Sequence, residues 1–101
     1  MNSQFRLTQP AMQDIQETTE YIAQNFGFSQ AEQLVQKLNV QFSRIVQFPQ
    51  IGKPRNDLLP GSRTLLVDRY LIFYISIGND IEILRVVSGY RDLSKLFIEE
   101  E

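Results

Sequence analysis

The spacing of apolar residues changes once along the chain, and this change limits the possible folds more than any other feature. From residue 11 to residue 46, apolar residues recur at the spacing of a helix, with one interruption at Gly27. After the proline- and glycine-rich segment 49–61, they occur in short runs typical of strands. Two helices followed by strands predict an α+β fold in which the helices pack on one face of an antiparallel sheet.

Residues with known preferences for helix ends mark the two helices. Thr8 is a predicted N-cap, and Pro10 falls in the first turn, where its missing N–H is not needed. Gly27 predicts the end of the first helix, Ser29 the cap of the second, and Pro49 the end of the helical region. Because few residues separate the helices, we expect an antiparallel hairpin.

Four strands are predicted, at residues 4–7, 63–67, 70–77 and 81–88. A turn at Gly78 and Asn79 would join the last two. A two-residue loop places Phe73 opposite Leu84, whereas a three-residue loop places Phe73 beside Arg85; we prefer the first register because it leaves an apolar core face. The run 70–77 has apolar residues on both faces, which predicts burial on two sides.

The fold prediction leaves the second face of the sheet without an obvious cover. We therefore expect an exposed, partly apolar face that serves as a binding surface. Residues 1–98 are predicted to form a single domain, followed by a frayed acidic tail at 99–101.

Composition excludes several classes of chemistry. The chain contains neither histidine nor cysteine, which removes histidine acid–base catalysis, imidazole metal sites and disulfides. It also lacks a glycine-rich phosphate loop, and paired acids such as Asp14 and Glu17 fit a helix surface better than a catalytic pair. We expect no catalytic residue, metal or cofactor, and a binding protein is favoured over an enzyme. No apolar run is long enough for a membrane span and no secretory signal is evident, so a cytoplasmic location is expected.

Arginines on or beside the predicted C-terminal strands are the candidate binding residues. Residues 37–98 carry nine Lys or Arg against five acidic residues, although the net charge of the chain is −2. Arginine forks suit phosphate or carboxylate, and tyrosines add stacking surface, so this set predicts contact with a nucleic-acid backbone or an acidic partner. The bland alternative is solvated surface, and for Arg85 a salt bridge with Glu82, Asp68 or Asp92. The candidates are Arg63, Arg69, Tyr74, Arg85, Tyr90 and Arg91.

Motifs along nearly the whole chain resemble the ParE branch of the ParE/RelE toxin superfamily of bacterial toxin–antitoxin systems. They begin with residues 5–8 (FRLT) and continue with 48–53 (FPQIGK) and 61–63 (GSR). The strongest are 69–74 (RYLIFY) and 81–92 (IEILRVVSGYRD). The resemblance implies a helical hairpin against a twisted sheet, which agrees with the predicted order of elements.

The resemblance implies two alternative activities. RelE-like members cleave mRNA on the ribosome with Arg, Lys and Tyr side chains. By alignment, Arg91 falls on one of their catalytic arginines, but Leu71 replaces another and Phe97 replaces their catalytic tyrosine. ParE-like members instead poison DNA gyrase by trapping it on cleaved DNA, and we expect this activity here.

The resemblance also implies a ParD-like antitoxin, whose C-terminal segment wraps the toxin in a hetero-oligomeric complex. Ser88 stands where the family usually has histidine, and the pI is about 5.1, so direct contact with nucleic acid stays open. A third hypothesis is a non-toxic module that only binds its antitoxin.

Overall fold

A computed structural model describes residues 3–89 as two helices packed against a five-stranded sheet. The predicted Tyr90, Arg91, Phe97 and acidic tail lie outside the described residues. The sheet order is β1-β5-β4-β3-β2. The elements are β1 (Phe5–Leu7), α1 (Gln9–Phe26), α2 (Phe28–Gln47), β2 (Lys53–Pro54), β3 (Ser62–Val67), β4 (Tyr70–Ile77) and β5 (Asp80–Ser88).

The sheet is mixed, which refines the confirmed α+β prediction. β1 runs parallel to β5, with Phe5 opposite Ile81, whereas all other neighbouring strands are antiparallel. A parallel partner for β1 was not predicted. Parallel strands need a crossover connection, and α1 and α2 belong to the stretch of chain that connects β1 to β5. The two-residue β2, with Pro54 opposite Arg63, was also missed inside the predicted loop.

The helix ends follow the sequence signals at three of the four predicted positions. The Thr8 hydroxyl accepts a hydrogen bond from the Ala11 N–H at 3.2 Å, and Gly27 ends α1 with a φ of 103°. α2 ends at Gln47, just before Pro49. The predicted Ser29 cap is wrong, because α2 begins at Phe28 and has no side-chain cap.

The hairpin between β4 and β5 has the predicted two-residue loop but a different register beyond it. Ile77 pairs with Asp80, and the pairing continues to Tyr74 opposite Ile83. There the register shifts by one residue, so Phe73 pairs with Arg85 rather than with Leu84. Leu84 is the extra residue of a β-bulge, and a bulge cannot be read from loop length alone.

The main core lies between the helices and one face of the sheet. It comprises Ala11, Leu34, Leu38, Phe42 and Ile45 from the helices and Val67, Ile72, Tyr74, Ile81, Ile83 and Val86 from the strands. Expected burial of β4 on both faces is confirmed, since Phe73 and Ile72 are both fully buried.

The expectation of an uncovered second sheet face is wrong at the centre of that face. Val87 is buried there, with Leu71 and Leu58 packed against it. Leu58 belongs to the proline- and glycine-rich segment, and the part of it around Leu58 is closed by a backbone hydrogen bond of 2.9 Å from the Arg55 N–H to the Ser62 carbonyl. A segment interpreted as a plain loop therefore supplies part of the cover.

Candidate interaction surface

Arg69 lies on a tight turn between β3 and β4, held by contacts on both sides. Val67 pairs with Tyr70 across the turn, and Asp68 adopts a positive φ of 54°. The Arg69 carbonyl accepts a hydrogen bond from the Gly89 N–H at 2.8 Å. The backbone of the turn is thus fixed, while the Arg69 side chain is exposed.

This turn forms one wall of a cleft of about 390 Å³ whose other wall is the end of the helical hairpin. Its volume is within the ordinary range for binding clefts. A salt bridge crosses it: Lys37 Nζ lies 3.1 Å from Asp68 Oδ2, and both side chains are about half exposed. The lining residues are Tyr21, Ile22, Phe26, Gln30, Gln33, Leu34, Lys37, Asp68, Arg69 and Tyr70.

Exposed aromatic residues border the cleft. Tyr21 and Phe26 are 59% and 65% exposed, and their rings meet edge to face with centroids 6.3 Å apart. Phe26 is the last residue of α1, directly before the Gly27 C-cap. A large apolar residue directly before a helix-ending glycine was the available signal.

Arg63 and Tyr74 both make hydrogen bonds to the backbone of the segment that follows α2. The Arg63 guanidinium donates to the carbonyls of Gln50 and Gly52, at 3.2 and 2.7 Å. The buried Tyr74 hydroxyl donates to the Pro49 carbonyl at 2.8 Å and accepts from the Gly52 N–H at 2.9 Å. Together these two side chains clamp the segment that follows α2.

The clamp has consequences for chemistry and for sequence at Gly52. Burial raises the pKa of the Tyr74 phenol above its ordinary value, and the hydrogen bond from Gly52 and the charge of Arg63 oppose this rise. A Cβ on Gly52 would stand 2.7 Å from the Tyr74 hydroxyl and 2.8 Å from the Thr64 carbonyl oxygen. Only glycine therefore fits under the ring.

Arg85 pairs with Asp14 of α1, which was not among its three predicted partners. Its Nε and a terminal nitrogen donate to the two carboxylate oxygens of Asp14, at 2.7 and 2.9 Å. The same carboxylate accepts the Val86 N–H at 3.0 Å. Both charged side chains are largely buried, so Asp14 is not the surface residue that its sequence position suggested.

Arg63, Arg69 and Arg85, the three predicted arginines among residues 3–89, therefore do not form one cationic surface. Arg63 binds loop carbonyls, Arg85 binds a helix carboxylate, and only Arg69 of these three extends into an open cleft. Tyr90 and Arg91 lie outside the described residues. Leu71, the position aligned with a RelE-type catalytic arginine, packs against Val87.

The part of the chain that the structure describes, residues 3–89, contains no group of three or more acidic residues placed to hold a metal ion. Within the same residues, no helix has the length and apolar character needed to span a membrane.

Comparisons with known proteins agree on one family. A family model for the ParE toxin of the type II toxin–antitoxin system parDE matches residues 5–93. Toxin ParE3 of Caulobacter vibrioides is 31% identical over 87 residues, which cover 86% of this chain and 87% of that protein. Toxin ParE1 of Mycobacterium tuberculosis is 27% identical over 96 residues, covering 94% of this chain and 98% of that protein.

A solved structure gives the same result for the fold. A chain of the chromosomal ParDE TA system from P. aeruginosa superposes with a TM-score of 0.73 at 26% identity. The match covers 87% of this chain and 96% of the other. The similarity thus extends over the helical hairpin and the sheet together rather than over one motif.

Proposed function

The chain belongs to the ParE toxin family of type II toxin–antitoxin systems, and we propose that it acts by binding DNA gyrase and trapping it on cleaved DNA. We further propose that a ParD-like antitoxin neutralises it. A target in DNA metabolism implies a cytoplasmic location. The family resemblance suggests this activity, and the described residues support binding rather than bond cleavage.

Leu71 is the observation that carries the choice of binding over mRNA cleavage. It stands where RelE-like ribonucleases have a catalytic arginine, and here it is an apolar side chain packed against Val87. Stabilising the charge of a phosphoryl transition state requires a cation or hydrogen-bond donor at that place. Arg63 and Arg85 do not substitute for it, because internal carbonyls and Asp14 engage their guanidinium groups.

An in vitro assay with gyrase tests the target. Purified toxin is added to gyrase, ATP and relaxed plasmid, and we expect inhibition of supercoiling and accumulation of linear plasmid after denaturation of gyrase. Addition of the protein encoded by the adjacent open reading frame should restore supercoiling. Unchanged supercoiling with no linear product would overturn the proposed target.

Two further assays separate the alternatives. Primer extension on translated mRNA should show no toxin-dependent cleavage; cleavage that disappears in Arg91→Ala would favour the RelE-type reaction. Expression of the toxin without its antitoxin should arrest growth, and normal growth would favour the non-toxic binding module.

A further inference from the structure

A group of cations lies where α2, β2 and β3 meet. Residues 38–56 contain three Lys or Arg and no acidic residue, and the side chains of two of them, Arg44 and Lys53, are exposed. Arg63 lies beside Lys53, since it pairs with Pro54 across β2 and β3. We call Arg44, Lys53 and Arg63 the basic corner. None of the three forms an ion pair within the described part of the chain.

Arg44 comes close to the level of Lys53 because α2 runs antiparallel to β3. Lys37 meets Asp68, just beyond the end of β3, at 3.1 Å, and the segment after α2 is held at the start of β3. Arg44 follows Lys37 on the same flank of α2, about two turns or about 10 Å further on. Going back along β3 from Asp68 to Thr64, the partner of Lys53, covers about 14 Å. Arg44 and Lys53 therefore lie at the same end of the molecule.

Internal hydrogen bonds hold the backbone beneath the basic corner. Arg63 and Tyr74 bind the backbone of residues 49–52, directly before Lys53. After β2, the Arg55 N–H donates to a β3 carbonyl at 2.9 Å. The backbone that carries these cations thus needs no further ordering when a partner binds, which lowers the entropy cost of association.

The chemistry of the basic corner fits a phosphate backbone better than a protein surface. Protein partners are held by a buried apolar centre that contains few charges. Among residues 42–64, however, Phe48 is the one large apolar side chain that is exposed, at 54%. Cations that no carboxylate neutralises are instead the groups that bind the phosphates of duplex DNA. The proposed target, gyrase on cleaved DNA, supplies such a duplex.

The exposed surface of α1 carries the opposite charge. Glu17 and Glu20 are exposed there, and α1 packs against β5, whereas the basic corner adjoins β3. This separation of charge turns the basic corner toward a polyanion and α1 away from it. The net charge of −2 is therefore compatible with local contact to DNA at this corner.

From this placement we propose that the basic corner contacts the phosphate backbone of the duplex DNA that gyrase holds, and thereby stabilises the trapped complex. This inference rests on the proposed gyrase target and adds a direct contact with DNA, which the sequence left open. Arg44 and Lys53 were not among the predicted binding residues, because sequence alone does not show that α2 carries Arg44 to the sheet edge formed by β2.

Titration of the full-length toxin into gyrase, ATP and plasmid tests the proposal, with linear plasmid after denaturation of gyrase as the readout. Arg44→Glu and Lys53→Glu each place a carboxylate where a phosphate must bind. We expect each to raise the toxin concentration for half-maximal linear product at least about fivefold. The titration is repeated at several salt concentrations. Each variant should lower the slope of log potency against log salt by about 0.9, the value of one lost phosphate contact.

Two variants control for charge and for the residue itself. Arg6→Glu makes the same change of charge at an exposed cation on β1, at the opposite edge of the sheet. Lys53→Arg keeps the positive charge at the basic corner. We expect both to retain wild-type potency within about twofold and to leave the salt slope unchanged. Circular dichroism and thermal melting of all four variants verify that each is folded.

Each outcome has a distinct meaning. If Arg44→Glu and Lys53→Glu trap gyrase as well as Arg6→Glu does, contact with DNA at the basic corner is overturned and the gyrase target stands. If they lose potency but keep the wild-type salt slope, the corner contacts the gyrase protein rather than DNA, which also overturns the inference. If wild-type toxin yields no linear plasmid, the proposed target and this inference fail together.

Discussion

The two helices contact the same sheet in different ways. α1 and its N-cap residue are joined to β5 by polar contacts: the Thr8 hydroxyl donates to the Leu84 carbonyl at 2.9 Å, and the Asp14 carboxylate accepts from Arg85 and from the Val86 N–H. α2 buries its apolar stripe but leaves the cleft at Arg69 between the helical hairpin and the β3–β4 turn, and a half-exposed salt bridge crosses this cleft.

This comparison indicates that the neighbours of an arginine, rather than its place on a strand, decide its role. Arg85 lies within β5 and Arg69 directly precedes β4, and both fitted the same predicted cationic surface. Arg85 faces a helix that supplies a carboxylate, so it stabilises the fold. The Arg69 side chain is exposed at the open cleft, where a partner can reach it.

Removing the carboxylate from the α1 side should have the largest effect on stability. Asp14→Ala removes the carboxylate that accepts hydrogen bonds from the Arg85 guanidinium and the Val86 N–H in a largely buried site. We expect the free energy of unfolding to fall by about 3–5 kcal/mol. Urea denaturation measures it, with the exposed Glu17→Ala as a control that should change stability by less than about 0.5 kcal/mol. Equal effects of the two substitutions would contradict a closed, ion-paired α1 side.

Substitution of Tyr74 tests how firmly the segment after α2 is held to the sheet. Tyr74→Phe removes the hydroxyl and leaves the Pro49 carbonyl and the Gly52 N–H without it. We expect a loss of about 1–3 kcal/mol in the free energy of unfolding. Tyr21→Phe changes an exposed ring at the cleft and is the matched control; it should leave the free energy of unfolding nearly unchanged. A neutral Tyr74→Phe would mean that the segment after α2 is loosely held.

Alkaline pH should weaken the same clamp without a mutation. The pKa of Tyr74 is raised in the fold, so its neutral form stabilises the protein below the unfolded pKa of about 10. This contribution is lost as pH rises from about 10 through the folded pKa. The stability difference between wild type and Tyr74→Phe should therefore narrow above pH 10, measured by urea midpoints. A difference that stays constant with pH would argue against an uncharged, buried phenol.

The Lys37–Asp68 salt bridge across the cleft should contribute least to stability. Lys37→Ala breaks an ion pair whose side chains are 53% and 49% exposed. We expect the free energy of unfolding to change by at most about 1 kcal/mol and the remaining effect to shrink in high salt. A loss comparable to that of Asp14→Ala would erase the contrast between the two helices.

Local signals predicted the elements well because they act within a few residues. The cap at Thr8, the stop at Gly27 and the two-residue turn at Gly78 each depend on the backbone preferences of one or two residues. The two-sided burial of residues 70–77 was also visible as apolar residues of both parities. That pattern already indicated a covered second face, although the sequence showed no separate element to cover it; Leu58 of the segment before β3 supplies part of the cover.

Contacts across long sequence distances could not be predicted in the same way. The bulge at Leu84 changes every pairing beyond it, and the partner of Arg85 is 71 residues away in α1. Asp14 looks like any acid in a helix until the helix is placed against β5. The sequence showed the residue types of the candidate site but not their arrangement: the Arg69 side chain is exposed, whereas Arg63 and Tyr74 make hydrogen bonds to backbone carbonyls.

The short outer strand β2 has a consequence for how the molecule behaves among copies of itself. It offers only two residues at that border of the sheet, and one of them is a proline without an N–H. A neighbouring polypeptide that tried to extend the sheet there would find too few donors to form a continuous ladder. Such a border therefore disfavours the addition of strands from other copies of the chain.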